Sequence, residues 1–316
     1  MEWHVQFEIK EYRDSWRDQN ISFRARESDV SVIISGTKCD LKINGNKSDE
    51  IEEMFYAIWE LLFLYDGYFY IPKVYEVDDV AHEINSLYRV NLYKTAKVWI
   101  VTATPLAKSN RILDEELLNN YIKFRNQDRM QGKMTDSLLN AYFYLQSDAY
   151  REINIEHRLS LMLNICDGYY LNEIGKSSGA GGHVVALINN IGLAKVQYGI
   201  ELMGISKKKL TNLIGGIRDE IDHYIVMKDS AGSQILNSQS EVIKSLNLYL
   251  FYVTELAFRA TVLEKVGGFI DQTAKERAVD SINDWLILSN KLDQKCKLPE
   301  NVLAQEIQKM KAKVSQ

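Results

Sequence analysis

Proline is nearly missing from this chain, with three in 316 residues. Proline lacks the N–H that a helix needs and clashes with the preceding turn, so its scarcity leaves room for long uninterrupted helices. Cysteine is equally rare. Cys39, Cys166 and Cys296 are odd in number and far apart, which excludes a disulfide framework and a zinc knuckle. No apolar run approaches the roughly 20 residues that a membrane-spanning helix needs. The opening Met1-Glu2-Trp3-His4 has neither the basic nor the apolar character of a signal peptide. These absences predict a reduced, cytoplasmic protein with no membrane segment, and nothing in the pattern calls for a metal or an organic cofactor.

What is present is ordinary in amount. Apolar residues make up 46% of the chain, enough for a core, and charged residues 26%. A net charge of −5 argues against a nonspecific coat on nucleic acid, while leaving room for a local basic cleft. The length suggests one large or two ordinary domains.

The first part of the chain alternates. Trp3, Val5, Phe7 and Ile9 interleave with His4, Gln6, Glu8 and Lys10, the period of a half-buried strand. The same period runs through Ile21, Phe23 and Ala25, then Val30–Ile34, then Cys39, Leu41 and Ile43, with Gly36 and Asn44-Gly45 as turn signals. Four antiparallel strands with one wet face are predicted. A helix follows from Ser48, read as its capping residue, with Ile51, Phe55, Ile58, Leu62 and Tyr65 as its apolar stripe and Asp66-Gly67 as its end. It is expected to cover the buried face of the sheet. In 68–104 the pattern gives strands at 88–92 and 97–101 that return to the sheet, separated by a short helix or loop at 79–86. The fold class expected is therefore α+β over residues 1–105, then an all-helical bundle over 106–316. Helices are expected at 114–126, 135–151, 153–171, 183–199, 205–227, 242–266 and 271–290, the second and third pairing as an antiparallel hairpin.

Gly175-Lys-Ser-Ser-Gly-Ala-Gly-Gly182 interrupts the helical pattern. Gly-Lys-Ser is not a P-loop here, because the glycine that motif needs five residues earlier is Tyr170 and no strand precedes it. A mobile loop is the expectation. Lys207-Lys208-Lys209 reads either as a solvated helix face or as a phosphate contact.

The helical stretch around 210–225 carries the chemistry. Leu210, Ile214, Ile217, Ile221 and Ile225 recur at three or four residues and form one buried stripe. His223 lies well off that stripe and Arg218 at its border. Asp219 is four residues before His223, on the same helical face. A solvated face with an Arg218–Asp222 ion pair would explain these residues equally well. A looser match of the same kind, Arg151 to His157, lies between two helices and lacks a polar residue of the Asp219 kind at a suitable spacing. Nothing in the sequence places His4, His82 or His183 beside a catalytic partner.

Arg218-Asp219 and then His223, late in a helical domain, resemble the HEPN superfamily over roughly residues 108–295. The closest resemblance is to abortive-infection members that carry a β-rich N-terminal domain. These are helical bundles marked by an Arg, four to six residues, then a His. The resemblance implies a metal-independent endoribonuclease of a bacterial defence or toxin type, active as a homodimer in which two motifs build one cleft. Arg218 and His223 would be catalytic, Asp219 would orient the imidazole, and Lys207, Lys208 and Lys209 would contact RNA. Residues 1–105 would be a sensor or a docking surface for a regulatory partner. The alternative is a catalytically silent binding or assembly module of a larger defence complex. In some of these proteins a Tyr stands two residues after the His; here Ile225 takes that place.

Overall fold

The protein is described by a computed structural model over residues 1–8, 19–35, 38–67, 70–93, 106, 113–127, 133–147, 155–175, 179–203, 210–224 and 241–284. Its contacts divide it into two compact units. The first comprises Met1–Val98, Pro105–Arg151 and Arg259–Ala274; the second comprises Trp99–Thr104, Glu152–Phe258 and Lys275–Gln316. A cut at residue 105 therefore does not reproduce the units, because later helices contribute to the first one.

In the first unit the alternating segments form strands β1 (Glu2–Glu8), β2 (Gln19–Ala25), β3 (Ser28–Ser35) and β4 (Lys38–Asn44), followed by helix α1 (Ser48–Asp66). Two further strands, β5 (Pro72–Val77) and β6 (Val80–Ala81), complete an antiparallel sheet of order β2-β3-β4-β1-β5-β6. Asp78 and Asp79 both have positive φ, at 49° and 63°, as a two-residue primed turn requires if it is to follow the strand twist. The register puts Trp3, Val5, Phe7, Leu41 and Ile43 on the buried face. Phe55 of α1 stacks on Phe7 and tilts against Trp3, so α1 does cover that face.

The strands that return to the sheet come earlier than the pattern suggested. Residues 88–93 form helix α2 (Tyr88–Tyr93), not a strand. Leu87 and Val90 are buried at a spacing of three while Tyr88 is 72% exposed, which is helical spacing on one side. The expected strand at 97–101 lies outside the described residues. Helix α1 begins at Ser48, with Lys47 at the cap position and no side-chain cap bond, so Ser48 is inside the helix and not its cap. It ends as expected at Gly67, whose φ of 68° is left-handed.

Helices α3 (Glu115–Arg125) and α4 (Thr135–Leu145) also belong to this unit. Asp114 caps α3 by accepting the Leu117 N–H at 2.8 Å. At the core lies Glu60, 1% exposed, which accepts from Arg89 (3.0 Å), Arg125 (3.2 Å) and the Tyr121 hydroxyl (2.8 Å). A buried carboxylate is tolerated only when its charge and lone pairs are met in this way. Arg259, fully buried, donates to the carbonyls of Leu64 and Tyr65 at 3.1 and 3.4 Å, placing a cation on the negative end of α1.

The second unit is helical: α5 (Ile155–Glu173), α6 (Gly179–Asn189), α7 (Leu193–Leu202), α8 (Leu210–Tyr224), most of α9 (Glu241–Lys265) and most of α10 (Gln272–Ile282). Helices α4 and α5, expected to form one hairpin, fall in different units. The stretch expected as one helix from 183 breaks at Gly192, where φ is 105°. Helix α9 ends close to the expected residue 266, just before Gly267, whose φ is 85°. Among the described residues from 113 to 284 there is no strand element.

Candidate functional site

Of the sequence-predicted site residues, the structure describes the side chain of Arg218 alone. Positions 219 and 223 lie on α8, with only their backbone described, and Lys207, Lys208 and Lys209 lie outside the described residues. Leu210 and Ile214 of the expected stripe are buried, at 4% and 1% exposed. Along a straight α8, positions 218 and 223 are about 140° apart around the axis and about 7.5 Å apart along it. One helix therefore does not bring both to one face.

Arg218 is brought together with residues of two other helices. Its Nε–H donates to Asn164 Oδ1 at 3.0 Å, and its Nη2 lies 3.4 Å from Asp167 Oδ2. Asn164 and Asp167 are one turn apart on α5, which puts both on the side that meets α8. The other oxygen of Asp167 accepts the Nδ1–H of His183 on α6, at 2.6 Å. His183 is 4% exposed, and its ring lies nearly parallel to that of Tyr170, 13° off with centroids 4.6 Å apart. The bond to Asp167 fits the tautomer with hydrogen on Nδ1. Its Nε2 is buried without a hydrogen-bond partner among the described residues.

The close approach of α6 to α8 depends on glycine. A Cβ at Gly181 would stand 2.6 Å from the Thr211 carbonyl oxygen and 3.2 Å from the Gly215 nitrogen. Only a residue without a side chain lets these backbones meet, and two residues later the chain presents His183. The Gly-rich stretch thus serves packing in part: residues 179–182 form the first turn of α6 instead of a loop, and 176–178 lie outside the described residues.

The grouping of Arg218, Asn164, Asp167 and His183 was not legible in the sequence. Asn164 and Asp167 sit in a run read as core helix, and His183 had no local partner. The one available signal was the spacing of three between an amide and an acid on a helix otherwise rich in Leu and Ile. The looser candidate Arg151–His157 gains nothing: His157 is exposed on α5 and Arg151 lies outside the described residues.

Two other histidine environments exist. His4 on the wet face of the sheet is held between Glu76 (2.9 Å) and Asp40 (3.1 Å), and Gln6 also donates to Asp40. Burial alone would lower its pKa, but hydrogen bonds to both carboxylates outweigh that and raise it above 6.5. His82 packs at a tilt beside Tyr75. In the first unit an open cleft of about 530 Å³ is lined by Asp49, Glu52, Glu53, Tyr88, Arg89 and Asp136, among others. Among the described residues no group of three or more His, Cys, Asp or Glu is placed to hold a metal ion, and no helix is long and apolar enough to cross a membrane.

Comparison with family models, with curated proteins and with solved structures gave no match.

Proposed function

We propose that this chain is a metal-independent endoribonuclease of a bacterial defence or toxin type, working as a homodimer. The observation that carries this reading is the setting of Arg218: a guanidinium, 26% exposed, fixed by Asn164 and Asp167 on a helix that places His223 five residues further on. Arg never loses its charge and its planar fork matches phosphate oxygens. His exchanges protons near neutrality.

RNA cleavage of this kind needs a base for the ribose 2′-hydroxyl proton, an acid for the departing 5′-oxygen, and a cation on the crowded phosphorane. Arg218 supplies the cation. One His supplies one proton transfer, worth typically 10²–10⁴-fold, so a second copy supplies the other. Asp219 orients His223, and Lys207, Lys208 and Lys209 hold RNA phosphates outside the reacting centre. The products are a 2′,3′-cyclic phosphate and a 5′-hydroxyl.

The face beside Arg218 suits a second copy. Leu161 (40% exposed) and Leu171 (46%) are exposed on α5, about 15 Å apart along it, and Ile174 (54%) follows just past its end. Exposed apolar side chains on this helix would be covered by a second copy. Residues 1–105 serve as the sensor or docking surface for a regulatory partner, and the protein works in the cytoplasm.

A second reading has its own observation. The fixed contacts of Arg218 come from within the unit, and Asp167 already offsets its charge, as in a silent assembly module. Incubating the purified protein with total RNA in EDTA, beside an Arg218→Ala/His223→Ala variant, separates the two. Cleavage by the parent alone, leaving cyclic phosphate ends, supports the ribonuclease; a parent that cuts nothing leaves the assembly module.

A further inference from the structure

His4 sits on the wet face of the sheet, on β1, opposite Lys42 of β4 and Glu76 of β5. Both of its ring nitrogens meet carboxylates: Nδ1 is 2.9 Å from Glu76 Oε2 and Nε2 is 3.1 Å from Asp40 Oδ1. An ionised carboxylate only accepts, and a neutral imidazole has one N–H and one lone pair. The two contacts are therefore satisfied together only by the imidazolium. In either neutral tautomer one nitrogen lone pair faces a carboxylate oxygen across the same gap. Burial opposes the charged ring, and Lys42 repels it, yet the bonds to Glu76 and Asp40 prevail and the pKa is raised.

The two carboxylates do not depend on His4 equally. Asp40 also accepts from Gln6 at 2.9 Å, and β4 is paired on both sides, to β3 and to β1. Glu76 has no side-chain partner other than His4 among the described residues. Within the sheet, β5 is joined to the inner strands through β1 alone, with the two-residue β6 beyond it. The β1–β5 register also shifts between Gln6 and Phe7. Loss of the His4 proton thus falls on the outer hairpin and not on β4.

We propose that His4 is a pH-sensitive clasp that holds the edge hairpin β5–β6 on the sheet when protonated and loosens it when neutral. The clasp is complete below about pH 6.5 and is lost as pH rises through the higher value that His4 has in the fold. Other charged groups share this face and the hairpin turn. Glu2 pairs with Lys42 at 3.5 Å, Glu8 with Lys73 at 3.7 Å, and the α-amino group of Met1 lies 4.0 Å from Asp78. Lys38 is opposite Glu8 on β4, and His82, just past β6, packs beside Tyr75. Tyr75 itself stays un-ionised, because burial and Glu52 push its pKa above the usual 10.

The test is a pH series on the full chain. Nitrogen NMR shifts of the His4 ring tell the imidazolium from either tautomer. Amide hydrogen exchange, corrected for its intrinsic pH dependence, reads the protection of β5 against that of β3 and β4. His4 should be an imidazolium at about pH 7. Protection of β5 should then fall about tenfold by about pH 9, the effect of one charge-assisted hydrogen bond, while β3 and β4 hold. His4→Gln, which does not titrate, should show the low β5 protection throughout. His4→Lys, which keeps a cation, should show the high one throughout.

A neutral ring at about pH 7 overturns the inference, as does β5 protection that does not change with pH in the parent. A loss shared equally by β3 and β4 is global and also overturns it. So does a loss that persists in His4→Gln, because the Met1 α-amino group and His82 are retained there. Should a variant fail to fold, the parent decides alone: loss of β5 protection in step with the His4 titration supports the clasp, and titration without that loss overturns it. The clasp lies wholly within the first unit and its readouts need no RNA, so it stands or falls separately from the ribonuclease reading.

Discussion

Arg218 and His183, thirty-five residues apart in the chain, rest on opposite oxygens of one carboxylate, that of Asp167. Each is held by its own helix, and α5 supplies the bridge. Anything that disturbs Asp167 therefore reaches both, although the two side chains differ in exposure. Arg218 faces partly outward and His183 is enclosed.

Single-turnover cleavage of a short RNA should be nearly lost in Arg218→Ala and in His223→Ala. Arg218→Lys should also fail, because a point charge does not reproduce the fork. Arg218 makes a partly exposed ion pair, so Arg218→Ala should cost about 1 kcal/mol of stability or less. Asp219→Asn should be milder, and replacing Lys207, Lys208 and Lys209 should change binding and its salt dependence more than the chemical step. If His223→Ala cuts as fast as the parent, the assignment of His223 is wrong.

Light scattering should give twice the chain mass at micromolar concentration. Leu171→Glu, which puts a charge at an exposed apolar position on α5, should give a monomer with an unchanged melting temperature. A parent that runs as a monomer removes the composite cleft.

Glu60→Ala should be among the most damaging single changes in the first unit. It leaves Arg89 and Arg125 without their shared carboxylate, and Arg125 is itself 7% exposed. Breaking a buried ion pair from one side costs about 3–5 kcal/mol. Glu60→Gln, which still accepts from Tyr121, should cost less in a denaturant titration. Equal losses for the two variants would mean that packing, not charge, sets the requirement.

The first unit should be more stable at about pH 6 than at about pH 8.5 through His4. Its pKa in the fold lies above the usual 6.5, so the folded state binds the proton more tightly than the unfolded chain. Its contribution is complete below about pH 6.5 and is lost as pH rises through the raised value. Asp40, held down by Gln6 and His4 against the opposite push of burial, works in the other direction and loses its contribution only in acid. Lys42 and Glu2 face the same patch. His4→Gln should shrink the melting-temperature difference between the two pH values; an unchanged difference would place its origin elsewhere.

Cys39 and Cys166 should resist iodoacetamide in the native protein. They are 1% and 0% exposed, and burial pushes the Cys39 thiol up to about 12 and that of Cys166 higher still. Thiolate is the reacting species, so peptide mapping after native labelling should find both unmodified until denaturant is added.

Local chemistry determined much of this fold. The alternation of Trp3, Val5 and Phe7, the apolar stripe of α1 with its stop at Gly67, the Asp114 start of α3 and the Gly267 end of α9 are each set by neighbours within a few residues. A period of two or of 3.6 is visible without knowing the partner, and the buried positions Leu210 and Ile214 of α8 belong to the same class.

What the tertiary structure decided is what depends on distant partners. Residues 88–93 carry enough apolar alternation for a strand, yet they form a helix with Leu87 and Val90 buried and Arg89 on Glu60. The return strand instead came from Pro72–Val77, paired with β1. The chain beyond residue 105 divides between two units: α3 and α4 belong to the first, and so does Arg259, which caps the carbonyls of α1 nearly two hundred residues earlier. Likewise Arg218 stands out in the sequence for its neighbours Asp219 and His223, but its fixed contacts are Asn164 and Asp167, more than fifty residues away. Helical periodicity specifies which face of α8 is buried; it carries no information about which helix meets that face. That was decided by the absence of a side chain at Gly181, which lets α6 approach α8 closely enough for His183 and Arg218 to share one carboxylate.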